Sequence, residues 1–310
     1  MLTRPFGSTG LQVSEIGFGC ASWWGKRAFD ERTAIRLVHQ ALDGGVSVFD
    51  TGAGYSEGHA EARLGRALAG RNVGDLLIST KAGTDYVDGQ VRRDFSPDAV
   101  EASVARSRER LGVDTIPLLQ LHGPTWAEMG PALHDRLARL RERGWFRWLG
   151  VNSFDPTLIA WAAQAPEFDA VMIDYNVLRP ERVPLIAAAA ANGKAVLAGM
   201  PLAMGHVGLQ VLKLRGPQDL WYAARGLVRH PREVRDGLRF GFLGRQPGWS
   251  AAQAALAYVL ANDRVSCAVM GTTRPRHLDE GLAVSGRQLP DEVMARIVAA
   301  QCRLSSASHV

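Results

Sequence analysis

Eight compact apolar runs, set apart by amphipathic stretches, constrain this 310-residue chain more than any other feature. They are SEIGFGC (14–20), VSVFDTG (46–52), DLLISTKAG (75–83), IPLLQLHG (116–123), FRWLGVNS (146–153), AVMIDYN (170–176), KAVLAGMP (194–201) and VSCAVMG (265–271). Their apolar character is nearly continuous and does not alternate, the pattern of parallel strands covered on both faces. Between them lie helical patterns with start and stop signals. Residues 30–45 open on Asp30 and close on a glycine pair. Residues 96–112 offer Ser96 as N-cap, Pro97 at the first helical position and Gly112 at the end. Residues 127–144, 181–193 and 250–263 read the same way. A strand–helix unit repeated eight times predicts a closed (β/α)8 TIM barrel, for which about 250 residues suffice. The whole of 1–310 is thus expected to be one domain.

Three pieces fall outside that repeat. Residues 2–13, with a Ser-Thr-Gly turn, predict an N-terminal β-hairpin plugging the barrel bottom. Residues 202–249 form a long loop after strand seven, and 219–240 within it has room for one or two helices. Residues 289–305 predict a C-terminal extra helix. The rival architecture, a doubly wound dinucleotide fold, needs G-x-G-x-x-G after its first strand. GAGYSEG (52–58) has one residue too many and follows the second strand, so that fold is rejected.

Composition narrows the function classes. The net charge of +5 comes from Lys and Arg interspersed with Asp and Glu, which argues against a nucleic-acid surface. Cys20, Cys267 and Cys302 show neither metal-ligand spacing nor a disulfide framework, and Cys20 and Cys267 sit in apolar runs as small core residues. There is no signal-peptide pattern at the N-terminus and no apolar stretch of transmembrane length. The expectation is a cytoplasmic protein without a membrane partner; the sequence is silent on oligomeric state.

In such a barrel, chemistry gathers at the C-terminal strand ends. Asp50 ends the second strand, Tyr55 follows in its loop, Lys81 ends the third and His122 the fourth. Singly, each has an ordinary structural role open to it: a turn cap for Asp50, a loop aromatic for Tyr55, a structural ion pair for Lys81, a core histidine for His122. Together, at adjacent strand ends, they suit one task. Reducing a carbonyl needs a proton on oxygen as well as a hydride on carbon. A phenol can give that proton, but with a pKa near 10 it needs help, and a neighbouring ammonium favours the phenolate. An aspartate holds that ammonium charged, and a histidine can orient the carbonyl oxygen.

On these residues the chain resembles the aldo-keto reductase family. The match runs through FDTGAGYSEGHAEARLGRAL (49–68), ISTKAG (78–83), LLQLHG (118–123) and GVNSF (150–154), and extends to the N-terminal hairpin and the late PGWSAAQAALAYVL and GTTRPRHLDEGL segments. The resemblance implies Tyr55 as acid/base, Lys81 and Asp50 as its tuning pair, and His122 as orienting group. It also implies a nicotinamide cofactor lying across the barrel mouth. Asn152 and Ser153 stand, in reversed order, where the family reads Ser-Asn at the nicotinamide. Met172 replaces a strand-six Gln, for which Asp174 or Asn176 is a substitute, and Gly199 replaces a stacking aromatic; Pro201 and Leu202 follow it. At the adenosine end, Gly271, His277 and Gly281 replace a Lys, an Arg or Gln, and an Asn, while Thr272, Thr273, Arg274 and Arg276 offer hydroxyl and guanidinium donors for a phosphate. That set favours NADP (NADPH) over NAD. Arg274 and Arg276 also read as ordinary decoration of a helix start.

Trp23, Trp24, Tyr86, Trp126, Trp221 and Tyr222 are the aromatics expected around the pocket, with Trp145 and Trp148 as packing. Such walls suit a small aldehyde, ketone or sugar-like substrate, and the 202–249 loop resembles that of the sugar-dehydrogenase-like branch. Two other functions compete. One is an NADP-binding regulatory subunit with slow turnover, similar to potassium-channel β subunits. The other is a metal-dependent hydrolase or isomerase using Asp50, His122 and His59, for which strand-end ligands are too few.

Overall fold

Each of the eight apolar runs forms one barrel strand. The structure is a computed structural model that describes residues 1–203, 228 and 231–306. The barrel strands, numbered along the chain, are β3 (Ile16–Gly19), β4 (Val48–Asp50), β5 (Leu77–Ala82), β8 (Ile116–His122), β9 (Phe146–Asn152), β10 (Ala170–Asp174), β11 (Ala195–Gly199) and β12 (Cys267–Met270). They pair in that order, all parallel, and β12 closes on β3 through Met270↔Phe18. Around and after the strands lie helices α1 (Glu31–Asp43), α2 (His59–Leu68), α3 (Pro97–Leu111), α4 (Pro131–Glu142), α5 (Pro156–Ala162), α6 (Val183–Ala191), α7 (Pro231–Gly237), α8 (Ala251–Leu260), α9 (Pro275–Leu282) and α10 (Asp291–Ser306).

The inward face of each strand follows the two-residue period of the pleat. Val48, Leu77, Leu118, Trp148, Leu197 and Val269 pack in one cluster inside the barrel. The bottom is closed by the hairpin of β1 (Thr3–Pro5) and β2 (Gln12–Ser14), as expected. Its Phe6 is fully buried and meets Trp148 edge-on, with ring centroids 5.9 Å apart. Arg4 fixes the hairpin: it donates to Glu15 Oε2 through Nε (3.0 Å) and Nη2 (2.7 Å), and to the carbonyls of Leu260, Asn262 and Val265. Cys20 and Cys267 are buried core thiols.

One local expectation needs correction, one element was not foreseen, and one expectation is met. The Ser96 side chain does not cap α3; its backbone N–H and hydroxyl both turn back to Asp94, and Pro97 alone sets the helix start. A hairpin of β6 (Thr84–Val87) and β7 (Gln90–Arg93) was not foreseen. Its turn carries positive φ at Asp88 (49°) and Gly89 (77°), the geometry for which Asp-Gly is suited, so the dipeptide was the available signal. The long 202–249 connection is not bare loop: α7 and a 3-10 turn, Leu238–Arg245, occupy its second half. The expected helix over 219–240 is met there, while Trp221 and Tyr222 lie outside the described residues.

Candidate active site

Asp50 is two residues beyond inward-facing Val48, Lys81 four beyond Leu77, and His122 four beyond Leu118. The period of two therefore aims all three into the barrel mouth. Register holds them side by side: Asp50 pairs with Ser79, Lys81 with Gln120, and His122 with Asn152.

The Lys81 side chain is fully buried and salt-bridged to Asp50. Its Nζ donates to Asp50 Oδ2 (2.6 Å) and to the Thr51 carbonyl (2.6 Å). The other carboxylate oxygen, Oδ1, accepts from Ser79 Oγ (2.9 Å) and Gln120 Nε2 (3.2 Å). Tyr55 begins a tight turn in which Ser56 (φ 51°) and Glu57 (φ 65°) both hold left-handed backbone. Such conformations cost of order 1 kcal/mol or more each in non-glycine residues and cluster at functional sites. The turn puts the Tyr55 ring over Lys81, with Nζ 4.8 Å from its centroid, and edge-on to His122 at 5.5 Å. The structure thus brings the four sequence-chosen residues into one contiguous group.

Their charges follow from burial and neighbours. Burial is the largest single effect on the Lys81 ammonium and pushes it down, but Asp50 and Tyr55 together, by charge and hydrogen bonding, reverse it; the net shift is upward and Lys81 stays protonated. Burial raises the Tyr55 phenol, and Lys81 only partly opposes this. The expected lowering of that pKa is therefore corrected: desolvation of the phenolate is the largest effect, Lys81 opposes it, and Asp50 offsets part of that opposition. Burial, with Lys81 and Arg93 adding to it, pushes His122 down to about 3. Its imidazole is neutral at physiological pH, and its buried Nδ1 has no partner.

The mouth is polar on one side and bare on the other. Asn152, four residues past Trp148, stands level with His122. Across from it, the inward positions at the ends of β11, β12 and β3 are Gly199, Gly271 and Gly19. A Cβ on Gly199 would lie 3.5 Å from Met172 Cε, and one on Gly271 3.2 Å from the Gly19 carbonyl. This side-chain-free floor beside hydrogen-bonding groups fits a flat heteroaromatic ring. Ser153 is buried, with its Oγ accepting from Asp155 N (3.1 Å), and Pro201 and Leu202 follow β11 at the rim. Gly271, Thr272, Thr273, Arg274 and His277 form the β12–α9 turn and first helical turn, where N–H groups and the helix dipole favour an anion.

Several expected contacts are placed otherwise. Asp174 and Asn176 do not substitute for the missing Gln. Asp174 is ion-paired with Arg182 (2.8 Å) and Arg179 (3.5 Å), while Asn176 donates to the Met200 carbonyl and accepts from Leu178 N. Gly281 packs on the Met270 thioether, whose flexible end would have to move to admit a Cβ there. Trp24 does not line the pocket; it is buried against Phe18 and donates to the Ala34 carbonyl. Trp23 borders a shallow groove with Lys26, Arg27, Ser56 and Glu57, which none of Asp50, Tyr55, Lys81 and His122 lines. Tyr86 lies on β6, and Trp126 is half exposed against Trp161. Trp145 is covered by Arg143 and Arg108. His59 accepts from Arg27 Nε (2.5 Å), away from Asp50 and His122. Gln120 and Ser79 were missed by sequence reasoning; a Gln and a Ser inside apolar runs, two residues before His122 and Lys81, were the signal.

A parallel eight-stranded barrel with these residues at its C-terminal mouth matches one family by sequence as well. The aldo/keto reductase family model covers residues 15–301, and the chain belongs to that family. It is 26% identical to a D-threo-aldose 1-dehydrogenase of a Pseudomonas species, over 95% of this chain and 96% of that protein. It is likewise 26% identical to L-galactose dehydrogenase of Arabidopsis thaliana, over 90% and 86%. Among solved structures, an aldo-keto reductase of Bacillus halodurans in its holo form superposes with TM-score 0.80 at 26% identity, over 97% and 96% of the two chains. A glycerol dehydrogenase of Gluconobacter oxydans superposes with TM-score 0.79 at 25% identity, over 97% and 95%. The chain is thus an oxidoreductase of a family that uses nicotinamide cofactors on small carbonyl or sugar substrates. No helix among the described residues is long and apolar enough to cross a membrane.

Proposed function

We propose that this chain is an NADP(H)-dependent reductase or dehydrogenase for a small aldehyde, ketone or sugar-like substrate, with Tyr55 as general acid and base. The observation that carries the proposal is the continuous contact from Tyr55 through Lys81 to Asp50, with a neutral His122 against the same ring. A bound nicotinamide dinucleotide supplies or accepts the hydride.

In the reductive direction Tyr55 gives its proton to the carbonyl oxygen. The phenol is held protonated by burial, while Lys81 limits the cost of the phenolate left behind. His122, neutral at working pH, hydrogen-bonds the same oxygen and fixes which face of the carbonyl is presented. In oxidation the roles reverse, and a higher pH favours it because Tyr55 must lose its proton first.

Asn152 and Ser153 hold the nicotinamide end over the glycine floor, with Met172, Pro201 and Leu202 beside it. Gly271, Thr272, Thr273, Arg274 and His277 take the adenosine 2′-phosphate, the reason for preferring NADP to NAD. The aldose, galactose and glycerol dehydrogenases among its relatives support a polyol or sugar as substrate. Fluorescence titration with NADPH and NADH, followed by a screen of aldoses, aldehydes and ketones, tests this. NADPH binding with turnover of one class is expected. Binding without turnover on any of them would favour a regulatory subunit, and no binding would refute both.

A further inference from the structure

The acid/base group rests on a second polar layer inside the barrel. Gln120 and Ser79 are fully buried there, one turn of the pleat below His122 and Lys81. Gln120 Nε2 donates to Ser79 Oγ (2.7 Å) and to Asp50 Oδ1 (3.2 Å), and lies 3.7 Å from Met172 Sδ. Ser79 Oγ in turn donates to Asp50 Oδ1 (2.9 Å). The amide orientation is forced by charge, because turning Oε1 toward the carboxylate would set acceptor against acceptor. Its Oε1 is left buried with no partner. An apolar side chain of the same volume would avoid that orphan, so the amide gives nothing as packing that leucine or methionine would not give better.

From this geometry we infer that Gln120, with Ser79, is a positioning residue for the proton-transfer group: it clamps Asp50 Oδ1 so that Oδ2 stays fixed on Lys81, and Lys81 on Tyr55. The inference rests on the acid/base reading of Tyr55. Asp50 Oδ1 has two donors and Oδ2 one, and without the Oδ1 donors the carboxylate can rotate about its bond to Cβ. Lys81 would then lose its fixed partner. Unbalanced negative charge near the phenol also raises the Tyr55 pKa, since Asp50 already acts on it in that sense. Proton transfer therefore weakens although neither residue touches substrate.

The test uses Gln120→Met, which keeps volume, Gln120→Glu, which keeps shape and adds a carboxyl group, and Ser79→Thr, which keeps the hydroxyl. A hydrogen bond to a charged group is worth about 10- to 100-fold in an equilibrium. Gln120→Met is expected to lower kcat by roughly that factor with KM for the dinucleotide unchanged, and to move the acid limb of the oxidation profile alkaline by about one unit. Gln120→Glu moves it further in the same direction, while Ser79→Thr retains most of the activity. Tyr55 titration is also read directly, as tyrosinate absorbance taken as a difference against Tyr55→Phe. That signal needs no turnover, so a failure of the oxidoreductase reading is told apart from a failure of this one. An alkaline displacement of the Tyr55 titration in both Gln120 variants supports positioning. An unmoved titration overturns it, whatever happens to thermal stability.

Discussion

Removing Lys81 or Asp50 alone should destabilise the protein far more than removing both. The two are 2.6 Å apart, with the Lys81 side chain fully buried and that of Asp50 only 6% exposed. At an effective dielectric of about 20, two unit charges at that distance attract by about 6 kcal/mol. Breaking a buried pair by deleting one partner typically costs about 3–5 kcal/mol, because the survivor remains desolvated and unmatched. Lys81→Met leaves the carboxylate with Ser79 and Gln120 only; Asp50→Leu leaves the ammonium with the Thr51 carbonyl and Tyr55. The double variant removes both charges. It strands chiefly the Ser79 and Gln120 donors, at a cost of about 1–3 kcal/mol. Urea unfolding followed by circular dichroism should place both single variants below the double in midpoint. If the double instead loses the sum of the two single losses, Lys81 and Asp50 are not energetically coupled and the charge argument fails.

Three further outcomes follow from the same structure. His122 binds its proton less readily folded than unfolded, so it takes stability away as pH falls below about 6.5, by up to about 1.4 kcal/mol per unit down to about pH 3. His122→Asn should flatten the acid side of the stability–pH curve, and an unchanged slope would contradict the neutral, buried assignment. Gly65→Ala, which in an exposed helix would stabilise by about 1 kcal/mol, should instead destabilise by roughly 1–3 kcal/mol. The new Cβ would strike the Arg110 and Leu111 carbonyls where α2 packs on α3, and thermal unfolding gives the sign. Arg274→Ala should weaken NADPH by about 10- to 100-fold and leave NADH nearly untouched, a difference that paired fluorescence titrations detect.

The barrel was legible because buried parallel strands leave continuous apolar runs, and all eight appear at their expected places. Strand-end position then picked out Asp50, Lys81 and His122, since a charged or polar group that closes an apolar run must be matched there by a partner or a ligand. Tyr55 was less open to such reasoning. Its aim depends on left-handed backbone at Ser56 and Glu57, residue types that do not advertise it. Balance between opposing effects was not legible either. Residue chemistry alone assigns Lys81 the decisive influence on the Tyr55 phenol, whereas burial, a property of the closed mouth, outweighs it. The same holds for Trp24: adjacent to Trp23 in sequence, it turns into the core because the short helical turn at Ser22–Gly25 sends the two rings apart. Asp174 and Asn176 were plausible cofactor partners by position alone. Arginines from the following turn, invisible to strand-end reasoning, claim the first, and the local backbone claims the second.

Tyr55→Phe bears most directly on the central claim. The substitution keeps the ring that faces Lys81 and His122 and deletes only the hydroxyl. With a substrate that the native enzyme turns over, kcat should fall by about 10²- to 10⁴-fold, the usual contribution of a positioned general acid, while the NADPH dissociation constant stays at the native value. A variant that binds NADPH as before and retains native kcat would remove Tyr55 from the reaction, and with it the acid/base role proposed for the Tyr55–Lys81–Asp50 group.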